Sequence, residues 1–494
     1  MENRRQLQRD LIWIFALGLL FRIALLIFFP VPYGNDAAGR LYFRDSILTW
    51  HWLPATQALV HFSYAFTHSI VIVRLVFALA GSLAAVAFAF YLQTFAPRRA
   101  ALIGGALFAI NSHAVFLSLM PYQEIVFLGL LFASLAFFIR EQTEPATRDF
   151  IIASTFYGLA CLTRYEAWFI LPALLLARIW RRFAAHGIRG LLHDGTKTFI
   201  GFCWGPALWL FINWRYWGSP TAFLFHRADH AFYAWSPHGE IARIVDYIGL
   251  MLYWLVRFGS PLVLLALPGV WLVWKNRRKL FPVLWPLLLL FLLVLLFLIL
   301  VAGKEFSTAN RFAMIPLSVV LIFAALGTDD FLQRLRQSSW LWLQQPALKK
   351  IAAGVLLLLL LIYGAMPVAR SNRLADFREP YEIAQFLKAH LASGESAVIV
   401  AASFDGEVPM PYQRVFGQLD FDQKQLLCAG LIDPRRLMNA EAFVQQNNLR
   451  YLVVFESGPS RNGSDGVFLR LIAETAHRIK KVFSNHAAII YERI

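Results

Sequence analysis

A few charged side chains in this chain have the types and spacing that chemistry needs. Asp36 stands in Gly34-Asn35-Asp36-Ala37-Ala38-Gly39-Arg40, directly after the first long apolar stretch. A carboxylate there can take the proton of a hydroxyl or amine as it attacks an activated carbon. The competing uses are a helix cap and a partner for Arg40, one helical turn on. Glu124 follows Pro121-Tyr122-Gln123 at a predicted helix start, where the helix dipole favours its charge whatever its role. Arg164 and Glu166 lie in Leu162-Thr163-Arg164-Tyr165-Glu166, and Lys304, Glu305 and Arg311 in a polar stretch between apolar runs. Arg offers a planar fork matched to phosphate oxygens and Lys a mobile point charge, so Arg164, Lys304 and Arg311 are candidate phosphate ligands. Arg311 can equally snorkel to a membrane interface, and Glu305 can neutralise Lys304.

Asp36 and Glu124, if brought together, can hold a divalent cation or tune one another's pKa. The histidines point less clearly to metal. His226 and His230 share a helix face by spacing and His51 and His61 lie in the first loop, but no third ligand is marked. There is no Walker motif, Gly-rich phosphate loop or Ser nucleophile elbow, which removes support for nucleotide-driven chemistry.

The elements that must position these groups lie in a membrane. Hydrophobic residues make up 59% of the 494, charged residues 15%, and mean hydropathy is +0.56, far too apolar for a soluble domain of this length. The 16 Trp and 16 Tyr suit membrane interfaces. Net charge is +16, but the basic residues fall in short clusters between apolar runs, where they orient helices rather than bind nucleic acid. Cys161, Cys203 and Cys428 form neither a disulfide framework nor a metal spacing. The stretch from Leu11 to Pro30 is too long for a signal peptide and lacks a cleavage site, so it reads as the first span.

A crossing takes about 20 apolar residues, and candidates begin near Leu11, Ile70, Ala100, Tyr122, Phe150, Ala167, Phe199, Tyr247, Phe281, Phe312 and Ile351, about eleven spans. Alternate loops hold the basic clusters, among them Arg4, Arg5 and Arg9, Arg181 and Arg182, and Lys275, Arg277, Arg278 and Lys279; the positive-inside rule makes these cytoplasmic. Asp36, Arg40, Arg44, Asp45, Glu124, Arg164, Glu166, Lys304 and Arg311 then share the outer side. The segment from Phe150 to Arg182 is either a helix hairpin with its turn below the membrane surface or one tilted span carrying an ion pair; either way Arg164 and Glu166 must face protein or water.

After about residue 370 the chain turns polar. Tyr381 to His390 has helical periodicity, Ala397 to Ala401 and Asn448 to Phe455 hold β-type runs, and the final stretch suggests a hairpin. The expected fold is a polytopic α-helical membrane protein, residues 1–370, with a small C-terminal α/β soluble domain, residues 371–494.

In their order, these motifs resemble the GT-C membrane glycosyltransferases, especially protein O-mannosyltransferases and the bacterial transferases that move aminoarabinose onto lipid A. The resemblance rests on Gly34 to Arg40, Trp52-Leu53-Pro54, Pro121 to Glu124, Leu162 to Ala167, and Arg311-Phe312 with Pro316. It implies an inverting transfer of one sugar from a polyprenyl-phosphate donor to a protein, lipid or glycan acceptor, with Asp36 as general base. Glu124 would act beside it, and Arg40, Arg164, Glu166, Lys304 and Arg311 would bind substrate. Asp36-Ala37 replaces the acidic pair common in the protein mannosyltransferases, so acceptor type does not carry over. The expected location is a bacterial inner membrane, N-terminus cytoplasmic and tail periplasmic or extracellular. The alternative function is a transporter or lipid flippase, which usually places its ionisable groups near the bilayer midplane.

Overall fold

The computed structural model describes residues 2–49, 52–144, 146–223, 249, 253, 256–257, 262–301, 313–337, 346–400, 415–416, 425–428, 445–455, 479–485 and 488–493. In chain order the helices are α1 (Glu2–Phe28), α2 (Asn35–Tyr42), α3 (Pro54–Thr67), α4 (Ile70–Gln93), α5 (Arg98–Ile110), α6 (Ser112–Ser118) and α7 (Gln123–Thr143). Then come α8 (Thr147–Cys161), α9 (Glu166–Trp217), α10 (Leu262–Lys275), α11 (Arg277–Val301), α12 (Met314–Gln337), α13 (Pro346–Arg373) and α14 (Ala375–His390). The strands are β1 (Ser396–Val400), β2 (Leu426–Cys428), β3 (Leu449–Phe455), β4 (Ile479–Ser484) and β5 (Ala488–Arg493). Two compact units emerge: Met1–Leu25, Leu48–Ala58 and Leu75–Pro367 form one, and Leu26–Ile47, Leu59–Arg74 and Val368–Ile494 the other.

Among the described residues five helices are long and apolar enough to cross a membrane: Arg5–Phe28, Ile70–Gln93, Gln123–Thr143, Met314–Arg334 and Gly354–Arg373. A sixth crossing results if α5 and α6, bent by 55°, are one broken span. Among the described residues the count is therefore five, or six with the bent pair, and it does not confirm the eleven expected. α8 has only 15 residues, and α10 and the middle of α11 are short apolar helices, while the expected spans near Tyr247 and the start of the one near Phe312 fall on residues outside the described set.

In the first unit the break between α5 and α6 is built, not frayed. The Asn111 side chain accepts from the His113 and Ala114 amides at 3.0 and 3.1 Å, the capping that starts a new helix. Arg22, fully buried in α1, donates from Nε to Ser118 Oγ at 2.6 Å and from Nη1 to the Ala109 carbonyl at 2.7 Å. A guanidinium inside a span is costly unless protein groups satisfy it, and here it binds a carbonyl that the break has released. The stretch from Phe150 to Arg182 is a helix hairpin: α8 ends at Cys161, and α9 begins at Glu166. α9 itself turns at Gly187, whose φ of 61° breaks the helix.

The second unit contains a five-stranded sheet of order β2-β1-β3-β5-β4. β1 runs parallel to β2 and β3, and β5 antiparallel to β3 and β4. Alternate residues of β3 are buried, so one face packs on Ile383, Ala384 and Leu387 of α14, the helix-over-sheet arrangement the tail's pattern predicts. Arg450 on β3 ties the sheet's end together, donating to Glu395 at 2.8 Å and to Glu492 at 3.0 Å. The Arg450 hydrogen bond, with help from the Ala392 amide, holds the Glu395 carboxyl below its ordinary range. β2 has no counterpart in the sequence reading, because three residues are too few for alternation to register.

Candidate active site

Asp36 lies in the first turn of α2, half-buried, while Arg40 in the last turn is fully buried with Ala37 and Leu41. The helix starts where it does because Gly34 takes φ 89°, a left-handed conformation that a side chain would strain. Its carbonyl accepts the Ala38 amide at 2.9 Å. The carboxylate thus sits at the positive end of a short helix dipole.

Two fixings hold the chain just before α2. Arg74 of α4 donates to the Pro30 carbonyl and, at 3.4 Å, to that of Phe29, placing a cation on carbonyls released at the end of α1. The Val31 amide donates to Asn372 Oδ1 at 3.0 Å. Beyond α2, Arg44 is fully buried, with its guanidinium carbon 4.3 Å from the Tyr64 ring centre and 4.3 Å from that of Phe416. Nη1 reaches the Phe416 carbonyl at 3.4 Å, Tyr42 meets the Phe416 ring edge-on at 5.4 Å, and His61 Nδ1 is 3.1 Å from the Arg44 carbonyl. Phe416 belongs to the core under the sheet. The α2 segment is therefore braced by the polar tail of its own unit.

That brace yields a prediction. Arg44→Ala removes two cation–π contacts worth about 0.5 to 2 kcal/mol each and opens a hole beside Phe416. The expected loss is about 2 kcal/mol or more, read as a lower unfolding midpoint of the purified protein, with Arg44→Lys in between because an ammonium cannot stack flat on two rings.

In the first unit, Arg164 joins Glu124 and Glu166. Its Nη1 donates to Glu124 Oε1, its Nη2 to Glu166 Oε1, and its Nε to the same Glu166 oxygen at 2.9 Å. Arg164 and Glu124 are fully buried, their side chains 3% and 2% exposed, and Glu166 16%. Glu124 occupies the first turn of α7, as its position after Pro121 suggests, and it also has a direct cationic partner. Arg164 is held by the end of α8, where its amide and that of Leu162 close onto the Ala160 and Gly158 carbonyls at 3.0 Å. All three guanidinium nitrogens are thus directed at carboxylates, an arrangement that fixes Glu124 in place.

The hairpin turn also meets the start of α3. Ala55 donates its amide to the Leu162 carbonyl at 3.0 Å, so Trp52-Leu53-Pro54 and Leu162 to Ala167, far apart in sequence, are neighbours. Leu53 packs with Leu162, Trp209 and Phe223. Tyr165 stacks on Phe223 at 5.1 Å, and its hydroxyl accepts from Trp209 Nε1 at 2.9 Å. Trp217 and Phe223 belong to this cluster; His226 and His230 lie outside the described residues. So do His51, Lys304 and Arg311. Among the described residues no group of three His, Cys, Asp or Glu side chains gathers in a way that can hold a metal ion.

Arg74, Asn372 and Phe416 are positioning residues that the sequence reading does not select. For Arg74 a signal exists, since it is a lone ionisable side chain inside an apolar run. Asn372 and Phe416 are distant in sequence from the residues they hold and carry no local mark.

Residues 54–193 match the sequence profile of a family described as dolichyl-phosphate-mannose-protein mannosyltransferase. Among solved structures, ArnT from Cupriavidus metallidurans bound to undecaprenyl phosphate aligns over 98% of this chain and 98% of its own, with 14% identity and a TM-score of 0.60. Its apo state gives 15% identity, 96% and 97% coverage, and a TM-score of 0.59. The archaeal oligosaccharyltransferase AglB from Archaeoglobus fulgidus, in complex with an inhibitory peptide and a dolichol-phosphate, gives 14% identity and a TM-score of 0.51 over 90% of this chain and 69% of that one. No curated protein matches the chain by sequence. The fold is that of the GT-C membrane enzymes. Helices long and apolar enough to cross a membrane make the chain an integral membrane protein, and the stretch that carries Glu124, Arg164 and Glu166 lies within the part similar to the dolichyl-phosphate-mannose-protein mannosyltransferases.

Proposed function

We propose that this protein transfers a single sugar from a polyprenyl-phosphate donor to an acceptor at the outer face of a bacterial inner membrane, with inversion at the sugar carbon. The observation that carries the reading is the end-to-end fold likeness to ArnT from Cupriavidus metallidurans in its undecaprenyl-phosphate complex; the mannosyltransferase profile supports the same donor class. In this scheme residues 1–370 form the membrane catalytic part and residues 371–494 an outer α/β domain. Asp36 takes the acceptor's proton as the acceptor attacks the sugar carbon. The bond between that carbon and the donor phosphate breaks, and the phosphate departs with the electron pair on the prenyl chain's headgroup. Cations at the headgroup, assigned to Arg40, Arg164, Lys304 and Arg311, offset the charge that develops there. Glu124 and Glu166 act with Arg164 in orienting the substrate. The acceptor is a protein, a lipid or a glycan.

The test is reconstitution with a panel of polyprenyl-phosphate sugars, mannose and aminoarabinose among them, with lipid, peptide and glycan acceptors offered together. The expected result is release of polyprenyl phosphate from one donor, dependent on an acceptor. Movement of lipid or solute across the vesicle with every donor left intact would instead establish a transporter or flippase.

A further inference from the structure

Between α10, α11 and α12, within the first unit, runs a groove of about 540 Å³. Val273, Trp274, Leu284 and Phe323 wall it, and Arg277 and Arg278 stand at one end. The groove does not depend on a loose gap between helices. α10 and α12 meet backbone to backbone, where a Cβ on Gly269 would lie 1.8 Å from the Phe323 carbonyl and one on Gly327 2.1 Å from that of Leu265. Small residues permit this approach in membrane helices, and they hold α10 against α12 beside the groove.

Arg277 and Arg278 are exposed, and among the described residues no carboxylate lies within ion-pair distance of either. Asp330, on α12, is engaged by Arg334 at 2.8 Å. Arg277 instead lies 5.1 Å from the centre of the Trp274 ring, which is 68% exposed. Both arginines also occupy the first turn of α11, where basic side chains oppose the helix dipole. A phosphate between them would relieve that opposition. An apolar channel that leads away from a cationic pair with no acidic partner among the described residues, with a Trp at the join, fits an amphiphile with an anionic head, and basic pockets between membrane helices bind such headgroups. We infer that this groove binds one anionic phospholipid, its phosphate on Arg277 and Arg278 and an acyl chain along Val273, Leu284 and Phe323.

The experiment uses the full chain, purified from detergent with phosphatidylglycerol or phosphatidylcholine added, and counts retained lipids by native mass spectrometry. The wild type should retain one phosphatidylglycerol in preference to phosphatidylcholine. Arg277→Gln with Arg278→Gln should weaken that retention by roughly thirtyfold, while the double lysine variant keeps most of it. Val273→Trp, which leaves both arginines in place and fills the groove, should also expel the lipid; it carries the test if the double glutamine variant fails to fold. Equal retention of the two lipids by the wild type, or undiminished phosphatidylglycerol on the glutamine and Val273→Trp variants, overturns the inference. Displacement of the lipid by millimolar inorganic phosphate would overturn it too, since that identifies a plain anion site.

Discussion

Asp36→Asn will lower kcat for sugar transfer by a factor of about 100 to 10,000, the usual worth of a positioned general base. The amide has nearly the carboxylate's shape, so the first turn of α2 and its Gly34 start should survive, but it cannot accept the acceptor's proton. Donor affinity should change little, because the base acts on the acceptor. A drop in kcat with an unchanged KM for the donor marks an interaction made in the transition state alone. Asp36→Glu should recover part of the rate, since the longer side chain misplaces the oxygens while keeping their basicity. Transfer assayed in proteoliposomes with radiolabelled donor decides it: a rate for Asp36→Asn within threefold of wild type would remove Asp36 from the chemistry and leave it a helix-terminal charge.

The reason Asp36 was legible in the sequence is local. An acidic residue directly after an apolar stretch stands out against its surroundings, and so does Glu124 after Pro121. The membrane helices, the final β-hairpin and the α14–β1 pair were legible for the same reason, each being a periodic run bounded by a polarity change. What holds Asp36 in place was not. The Val31 amide bonds Asn372 and Arg44 reaches Phe416, contacts separated by 341 and 372 residues, and no spacing rule links residues that far apart. The pairing of Glu124 with Arg164 across 40 residues was hidden likewise; each residue could be singled out alone, whereas their meeting depends on how α7 and α8 pack. The bounds of the crossings were hard to read for a different cause. Hydropathy weighs apolar content, but α8 stops at Cys161 after 15 residues so that the polar turn carrying Arg164 can form, and a window average blurs that end.

The Glu124–Arg164 pair is where the largest stability effect is expected. Arg164→Met leaves Glu124 charged in a site where its side chain is only 2% exposed, and breaking a buried pair from one side costs about 3 to 5 kcal/mol. The double variant Arg164→Met with Glu124→Gln removes the stranded charge, and replacing a buried pair as a unit is often close to neutral. It should therefore melt near the wild type, giving a coupling energy of several kcal/mol in the cycle on the pattern of residues that share one network. The same variants separate two uses of Arg164. If the guanidinium serves chiefly to hold Glu124 and Glu166, the double variant recovers stability and its remaining defect lies in kcat. If it also grips the donor phosphate, the donor KM stays raised even in the restabilised protein, because neither Met nor Gln can replace a charged fork on phosphate oxygens. Thermal unfolding in detergent and donor titration of the four proteins of the cycle give both answers, and a single Arg164→Met variant that melts with the wild type would mean that the pair contributes nothing to holding the hairpin turn.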